Sequence, residues 1–195
     1  MAVKIRTKWK DLQKGLDLDQ PYVRALDEQA SALGSHCWKL AVDSMSNMES
    51  FRFKIDTPPR TIAVAVEFLG FSLAVCDRLA FTRLEGEERP VFVLALANKI
   101  AELIIDNLAD IFGPNDYEGR VVEILEGRLE AYAEFKFVDN EPSYPFLGYF
   151  GKLTEEAMGE DNQRWVKEQI IEIEGPKVTR ALVKGMNELF STGGR

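Results

Sequence analysis

Two rows of acidic residues have the spacing and the chemistry of a divalent-metal site. Their members are Glu102, Asp106 and Asp110 in one predicted helix, then Glu123, Glu130 and Glu134 in the next. Residues three or four apart share a helix face, and carboxylate oxygens suit Mg²⁺ and Mn²⁺. Glu102, Asp106 and Glu130 are therefore candidate ligands of a metal that would position a phosphate-containing substrate. The competing interpretation is that both rows are solvated faces of amphipathic helices.

Soft metal ligands and nucleophiles are scarce in this chain. His36 is the only histidine, so the paired Glu-x-x-His motifs of di-iron bundles are excluded. A structural zinc site needs about four soft ligands, and His36 and its neighbour Cys37 point about 100° apart on a helix. His36 could still meet Cys76 from another helix as a nucleophilic pair. We favour two buried cysteines that behave as small hydrophobes, and we predict no cofactor.

One acid interrupts the most apolar stretch of the sequence, residues 61–81. Glu67 shares a helix face with Gly70, Phe71 and Ala74, so a carboxylate borders small residues where a pocket could open. A buried acid must be paired or must titrate abnormally, and such acids are enriched at functional sites. These four residues are the candidate ligand pocket. The structural alternative is an acid bonded to an Arg, Tyr or Trp of another helix.

The stretch "EPSYPFLGYFGKL", residues 141–153, is unusually apolar for a segment between two predicted helices. Apolar side chains in such a connector are typical of a plug that packs across the open end of a helical bundle. The alternative is a lid or a docking patch, because connectors often carry function. Tyr144, Phe146, Tyr149 and Phe150 are the candidate lid or partner residues.

The elements that must position these candidates are predicted to be helices, because helical periodicity dominates the sequence. The expected helices run from about Pro21 through Met48, then over 58–84, 90–112, 115–137, 151–158 and 161–190. Gly34 should let the first helix bend or let a neighbour approach closely, and Gly175-Pro176 should kink or divide the last one. No paired strands are expected. The pattern predicts an all-α, single-domain bundle of five to six mostly antiparallel helices around an apolar central helix at about 58–84.

Length and composition predict one domain with terminal extensions. A chain of 195 residues is long enough for a single well-buried core, and 46% hydrophobic with 29% charged residues is the balance of a soluble globular protein. We assign residues 1–15 to a basic, partly flexible arm, 16–190 to the helical bundle and 191–195 to a disordered tail.

Charge and cysteine content narrow the partners and the compartment. The formal net charge is -8, although the first ten residues carry +4. An acidic protein is not attracted to nucleic acid or to an anionic membrane. Glu67, Asp77 and Arg78 would each cost about 3 kcal/mol inside a bilayer, so no membrane span is expected. Only two cysteines and no signal peptide predict a cytoplasmic protein.

Two classes of function remain. The first is a non-enzymatic interaction module that self-associates, as a homodimer, or binds a protein partner. The alternative is a small-ligand-binding protein or a Mg²⁺- or Mn²⁺-dependent enzyme that uses carboxylates of the second to fourth helices. The first is favoured because the sequence lacks phosphate-binding loops, serine elbows and EF-hand loops.

Overall fold

A computed structural model describes residues 20–159 and 165–191, with the side chain of the last of these left out. The helices are α1 (Pro21–Ser50), α2 (Pro58–Phe81), α3 (Glu88–Phe112), α4 (Glu118–Ala133), α5 (Tyr144–Met158), α6 (Val166–Gln169) and α7 (Gly175–Ser191). A π-helical segment, Ile170–Glu174, joins α6 to α7. The predicted all-α bundle is confirmed. The predicted arm, 1–15, and residues 192–195 of the predicted tail lie outside the described residues.

The helix boundaries follow from local chemistry. Pro21 and Pro58 occupy the first position of α1 and α2, where a missing N–H costs no hydrogen bond and the fixed φ suits a helix. Thr57 precedes α2 in an extended conformation, and its side chain makes no capping hydrogen bond. Gly113 ends α3 with a φ of 87°, a conformation that glycine adopts without steric cost.

Helix α2 is the central helix of the bundle, as the sequence predicts. It packs against α1, α3, α4, α5 and α7, and nearly every residue from Val64 to Cys76 is buried. A helix that is apolar on all sides gains stability from burial against several neighbours at once. In the described part of the chain, none of the helices combines the length and the apolar character needed to cross a membrane.

The predicted close approach at Gly34 is confirmed. A Cβ atom at this position would lie 2.7 Å from Cγ of Lys99, so a larger residue would require the lysine side chain to move. The two helices run side by side over much of their length. Gly34 therefore lets the side chain of Lys99 pack directly against the backbone of α1.

A short β-hairpin corrects the expectation that the chain holds no paired strands. Strand β1 (Phe137–Val138) pairs antiparallel with β2 (Glu141–Pro142), so that Phe137 opposes Pro142 and Val138 opposes Glu141. Asp139 and Asn140 form the turn with φ of 53° and 63°, as a two-residue hairpin turn requires. Strands of two residues are too short to show an alternating pattern.

The aromatic segment is also more helical than predicted. Helix α5 begins at Tyr144, not near residue 151, with Pro145 in its first turn. Only 141–143 of the predicted connector is non-helical. The apolar residues therefore form the buried face of a helix, which explains their number.

The predicted interruption at Gly175-Pro176 is confirmed in the form of the π segment. Pro176 has no N–H, and its ring would clash with the carbonyl four residues earlier in a regular helix. The chain widens just before it, and the Gly175 N–H donates to the Ile170 carbonyl, five residues back. Such π segments are rare and are frequently found at functional sites.

Candidate functional site

Glu67, the acid inside α2, is fully paired with an arginine of α4. Arg128 donates from Nε to Oε2 and from Nη2 to Oε1, both at 2.7 Å. This two-point geometry is the strongest form of carboxylate recognition, and the hydrogen bond to Glu67 raises the pKa of Arg128. Gly70 leaves room for the arginine stem, because a Cβ there would lie 3.0 Å from Arg128 Cγ. Glu67 is therefore an acid bonded to an Arg of another helix, which was the structural alternative to a ligand pocket.

The space beside the other candidate pocket residues is filled by aromatic rings. Phe71 stacks on Phe150 with ring centres 4.2 Å apart, and it meets Phe146 edge-on at 5.7 Å. Phe68 contacts Phe150 edge-on at 4.9 Å, and Ala74 is buried. The face of α2 that carries Glu67 therefore forms packed core, with Arg128 and the rings of α5 against it.

The four aromatic candidates of the connector separate into two groups. Phe146 and Phe150 are fully buried and belong to the core of the bundle. Tyr149 is partly buried and packs edge-on against Tyr132 with ring centres 5.1 Å apart. Tyr144 is exposed at the start of α5. Only Tyr144 is therefore presented fully to a partner.

Tyr132 is the polar member of the aromatic core. Its ring stacks on Phe146 at 4.6 Å, and its hydroxyl is buried without a hydrogen-bond partner. Burial, with the nearby negative charge of Glu67, raises the pKa of Tyr132 well above its ordinary value. The phenol therefore stays neutral under any physiological condition.

The metal-ligand candidates are not brought together. Glu102, Asp106 and Glu130 are all exposed, and Glu102 accepts a hydrogen bond from Lys99 of its own helix at 2.9 Å. Among the residues that the structure describes, no three His, Cys, Asp or Glu side chains are grouped so that they could hold a metal ion.

The two thiols meet in the core, while the histidine faces elsewhere. Cys37 and Cys76 are free and fully buried, and a hydrogen bond with Cys37, together with burial, raises the pKa of Cys76. A thiol in this state is a poor nucleophile. His36 lies instead next to Gly185 of α7, so the structure does not form the His36 and Cys76 pair.

Sequence reasoning overlooked a second buried acid, Glu174, at the end of the π segment. Glu174 is 0% exposed. Its Oε1 accepts a hydrogen bond from Asn47 Nδ2 at 2.5 Å and another from Gln169 Nε2 at 3.1 Å. Its Oε2 has no hydrogen-bond partner among the residues that the structure describes, and Lys177 Nζ forms an ion pair with it at 3.7 Å. The sequence signal was an acid between an apolar run and Gly175-Pro176.

A second unpartnered polar atom lies on the helix that faces Glu174. Ser44 is 1% exposed and its Oγ has no hydrogen-bond partner. It precedes Asn47 by three residues in α1, so the two side chains are neighbours on the helix surface. The region where α1 meets the π segment therefore combines a buried carboxylate, two amides and an unsatisfied hydroxyl.

Known proteins offer no guide to what these sites do. A comparison of the chain with protein-family models, with curated proteins and with solved structures gave no match.

Proposed function

We propose that this protein is a non-catalytic interaction module that associates with itself as a homodimer. The observation that supports the proposal is a set of large apolar side chains exposed at one end of the bundle. Phe81 is 65% exposed, Val138 is 61% exposed and Tyr144 is 69% exposed. These three residues are called the hairpin-end surface.

The hairpin-end surface rests on elements that one arginine holds together. Arg83, just after α2, donates to Asn187 Oδ1 of α7 at 2.9 Å and to Asn140 Oδ1 of the hairpin turn at 3.4 Å. Phe137 packs inward, with its ring centre 6.1 Å from that of Phe146, while its neighbour Val138 points outward. A firmly held hairpin with an outward apolar residue is suited to present that residue to a partner.

The chemistry of this surface favours a protein partner. Exposed aromatic residues are enriched at interfaces, and burying one such side chain is worth about 1.5–3 kcal/mol. Arg89 lies over the Phe81 ring at 5.1 Å, which places a cation beside the apolar residues.

Light scattering during size exclusion tests the proposal. At about 20–50 µM, an affinity in the low micromolar range should give a particle of twice the monomer mass. Replacing Phe81 and Val138 together by serine should leave the fold intact and produce a monomer.

Phe112→Ser is the matched control. Phe112 is also exposed but ends α3 at the opposite end of the bundle, because the Asp77–Arg89 pair holds the beginning of α3 beside the end of α2. A wild-type monomer at these concentrations, or equal loss of the dimer in the control, would refute self-association through the hairpin end.

A cytoplasmic location is part of the same proposal. Free, buried Cys37 and Cys76 support it, since a reducing compartment keeps thiols unpaired. When protein isolated from its own cells is denatured and alkylated, both thiols should be labelled. Recovery of a disulfide between them would argue for an oxidising compartment.

A further inference from the structure

The buried carboxylate of Glu174 retains unused capacity to accept hydrogen bonds. Both amide donors, from Asn47 and Gln169, converge on Oε1, whereas Oε2 accepts no hydrogen bond. An ionised carboxylate away from water needs donors on both oxygens. The unpartnered hydroxyl of Ser44 lies on the same part of α1 as Asn47 and adds a second acceptor. Both features leave unused acceptors on the sides of α1 and the π segment that Asn47 and Glu174 occupy.

Lys177 is a loosely held neighbour of this acceptor. Its Nζ lies 3.7 Å from Oε2, beyond hydrogen-bond distance. Its side chain is 44% exposed, while the Glu174 side chain is 0% exposed. A flexible lysine that reaches inward from the surface loses little when it returns to water, because such partly exposed ion pairs are weak. Lys177 therefore lies where a competing cation would enter.

We propose that Glu174 and Ser44, framed by the π segment, form a binding site for the primary ammonium group of a small amine, and that Lys177 occupies this site when no amine is bound. A primary ammonium carries three donors and one positive charge, which matches a carboxylate oxygen and a hydroxyl that accept no hydrogen bond from the described residues. The site is separate from the hairpin-end surface, so it does not depend on self-association.

The local backbone supports a site rather than a packing defect. The π segment is imposed by Pro176, and it ends at Glu174. Gly175 allows the close crossing with α5, because a Cβ there would lie 2.6 Å from Leu147 Cδ2. The carboxylate is thus held by a rigid, wide turn of helix, and preorganised acceptors lose little entropy on binding a ligand.

Titration of the full chain with n-butylammonium chloride tests the proposal, with binding followed by ligand-observed nuclear magnetic resonance and by the melting temperature. Wild-type protein should bind the amine and melt at a higher temperature. Lys177→Met removes a weakly bound competing cation and should tighten binding about threefold. Glu174→Gln should weaken binding by about tenfold or more, and Ser44→Ala by about threefold.

Two controls separate a site from general salt effects. Tetramethylammonium and potassium chlorides at equal concentration carry the same charge without N–H donors, and they should give no comparable shift. Lys184→Met changes another lysine of α7, whose pair with Glu188 is exposed and 3.8 Å long, and it should bind like wild type.

The proposal fails if Glu174→Gln or Lys177→Met binds n-butylammonium as wild type does, or if tetramethylammonium binds equally well. If Glu174→Gln does not fold, the Lys177→Met and Ser44→Ala variants decide the matter. Unchanged affinity in either of them would overturn the assignment.

Discussion

Two buried glutamates in this bundle have opposite environments. Glu67 in α2 is held by the fork of Arg128, with one N–H on each oxygen at 2.7 Å. Glu174 at the π segment has both of its hydrogen bonds on one oxygen and none on the other. The two acids differ in sequence context, since Glu67 interrupts an apolar helical run and Glu174 ends one before Gly175-Pro176. Only the second has an oxygen that accepts no hydrogen bond from the described residues.

The difference shows that burial alone does not mark a charged residue as functional. The hydrogen bonds that each of its oxygens accepts must also be known. In the pair of Glu67 with Arg128, each carboxylate oxygen accepts one short hydrogen bond, and the pair joins α2 to α4. The raised pKa of Arg128 in this pair has a structural cause, its hydrogen bond to Glu67. Glu174 accepts hydrogen bonds from two amides on one oxygen, and only a lysine beyond hydrogen-bond distance lies near the other. A buried carboxylate with an oxygen in this state persists only where the surrounding fold enforces it.

Removing the cation from the pair of Glu67 with Arg128 should have the largest effect on stability. Arg128→Met leaves Glu67 buried without a counter-charge, and we expect a loss of about 3–5 kcal/mol in the free energy of unfolding. Chemical denaturation followed by circular dichroism measures it. The double variant Glu67→Gln with Arg128→Met should recover a large part of the loss, whereas equal stability of the single and double variants would show that the arginine acts through packing alone.

Removing one amide from Glu174 should cost less. Asn47→Ala deletes a hydrogen bond to a buried carboxylate, and we expect a loss of about 1.5–3 kcal/mol by the same denaturation assay. Asn107→Ala is the control, because the Asn107 amide bonds only the Leu103 carbonyl of its own helix. A loss no larger than that of the control would mean that Glu174 does not depend on the amide.

Tyr132 provides the smallest and most specific change near Glu67. Its buried hydroxyl lacks a partner, so Tyr132→Phe should be neutral or should stabilise the protein by up to about 1 kcal/mol at pH 7. Burial raises the pKa of Tyr132 in the folded protein above its ordinary value. The pH-dependent contribution of Tyr132 to stability is therefore complete below about pH 10 and is lost as the pH rises through the folded pKa, because the unfolded state loses the phenol proton first.

Denaturation between pH 8 and 11 measures that contribution. The stability of Tyr132→Phe should fall less steeply above pH 10 than that of wild type. Cys76, whose pKa is also raised, is present in both proteins, so their difference reports Tyr132. Parallel curves would contradict an elevated pKa for this residue.

Features with a local cause could be predicted from the sequence. The central helix α2 follows from its continuous apolar run, and the interruption before Pro176 follows from the missing N–H. The close contact at Gly34 follows from the absence of a side chain. The hairpin at 137–142 and the start of α5 were missed, because two-residue strands carry no periodicity and Ser-Tyr-Pro also fits a loop.

The environments of the two glutamates depend on residues far away in the chain. Arg128 lies 61 residues from Glu67, and Asn47 lies 127 residues from Glu174. A sequence shows that an acid interrupts an apolar face, but the packing of helices decides whether a donor reaches one oxygen or both. The acidic rows at Glu102 and Asp106 had suitable spacing, yet their faces point to solvent.

Double-mutant cycles for the two acid–cation pairs test the contrast most directly. Unfolding free energies would be measured for Glu67→Gln, Arg128→Met and their combination, and for Glu174→Gln, Lys177→Met and theirs. We expect a coupling free energy of about 2–3 kcal/mol for Glu67 with Arg128, and below about 1 kcal/mol for Glu174 with Lys177. A coupling for the second pair as strong as for the first would show that Lys177 satisfies Glu174, and the distinction between the two sites would fail.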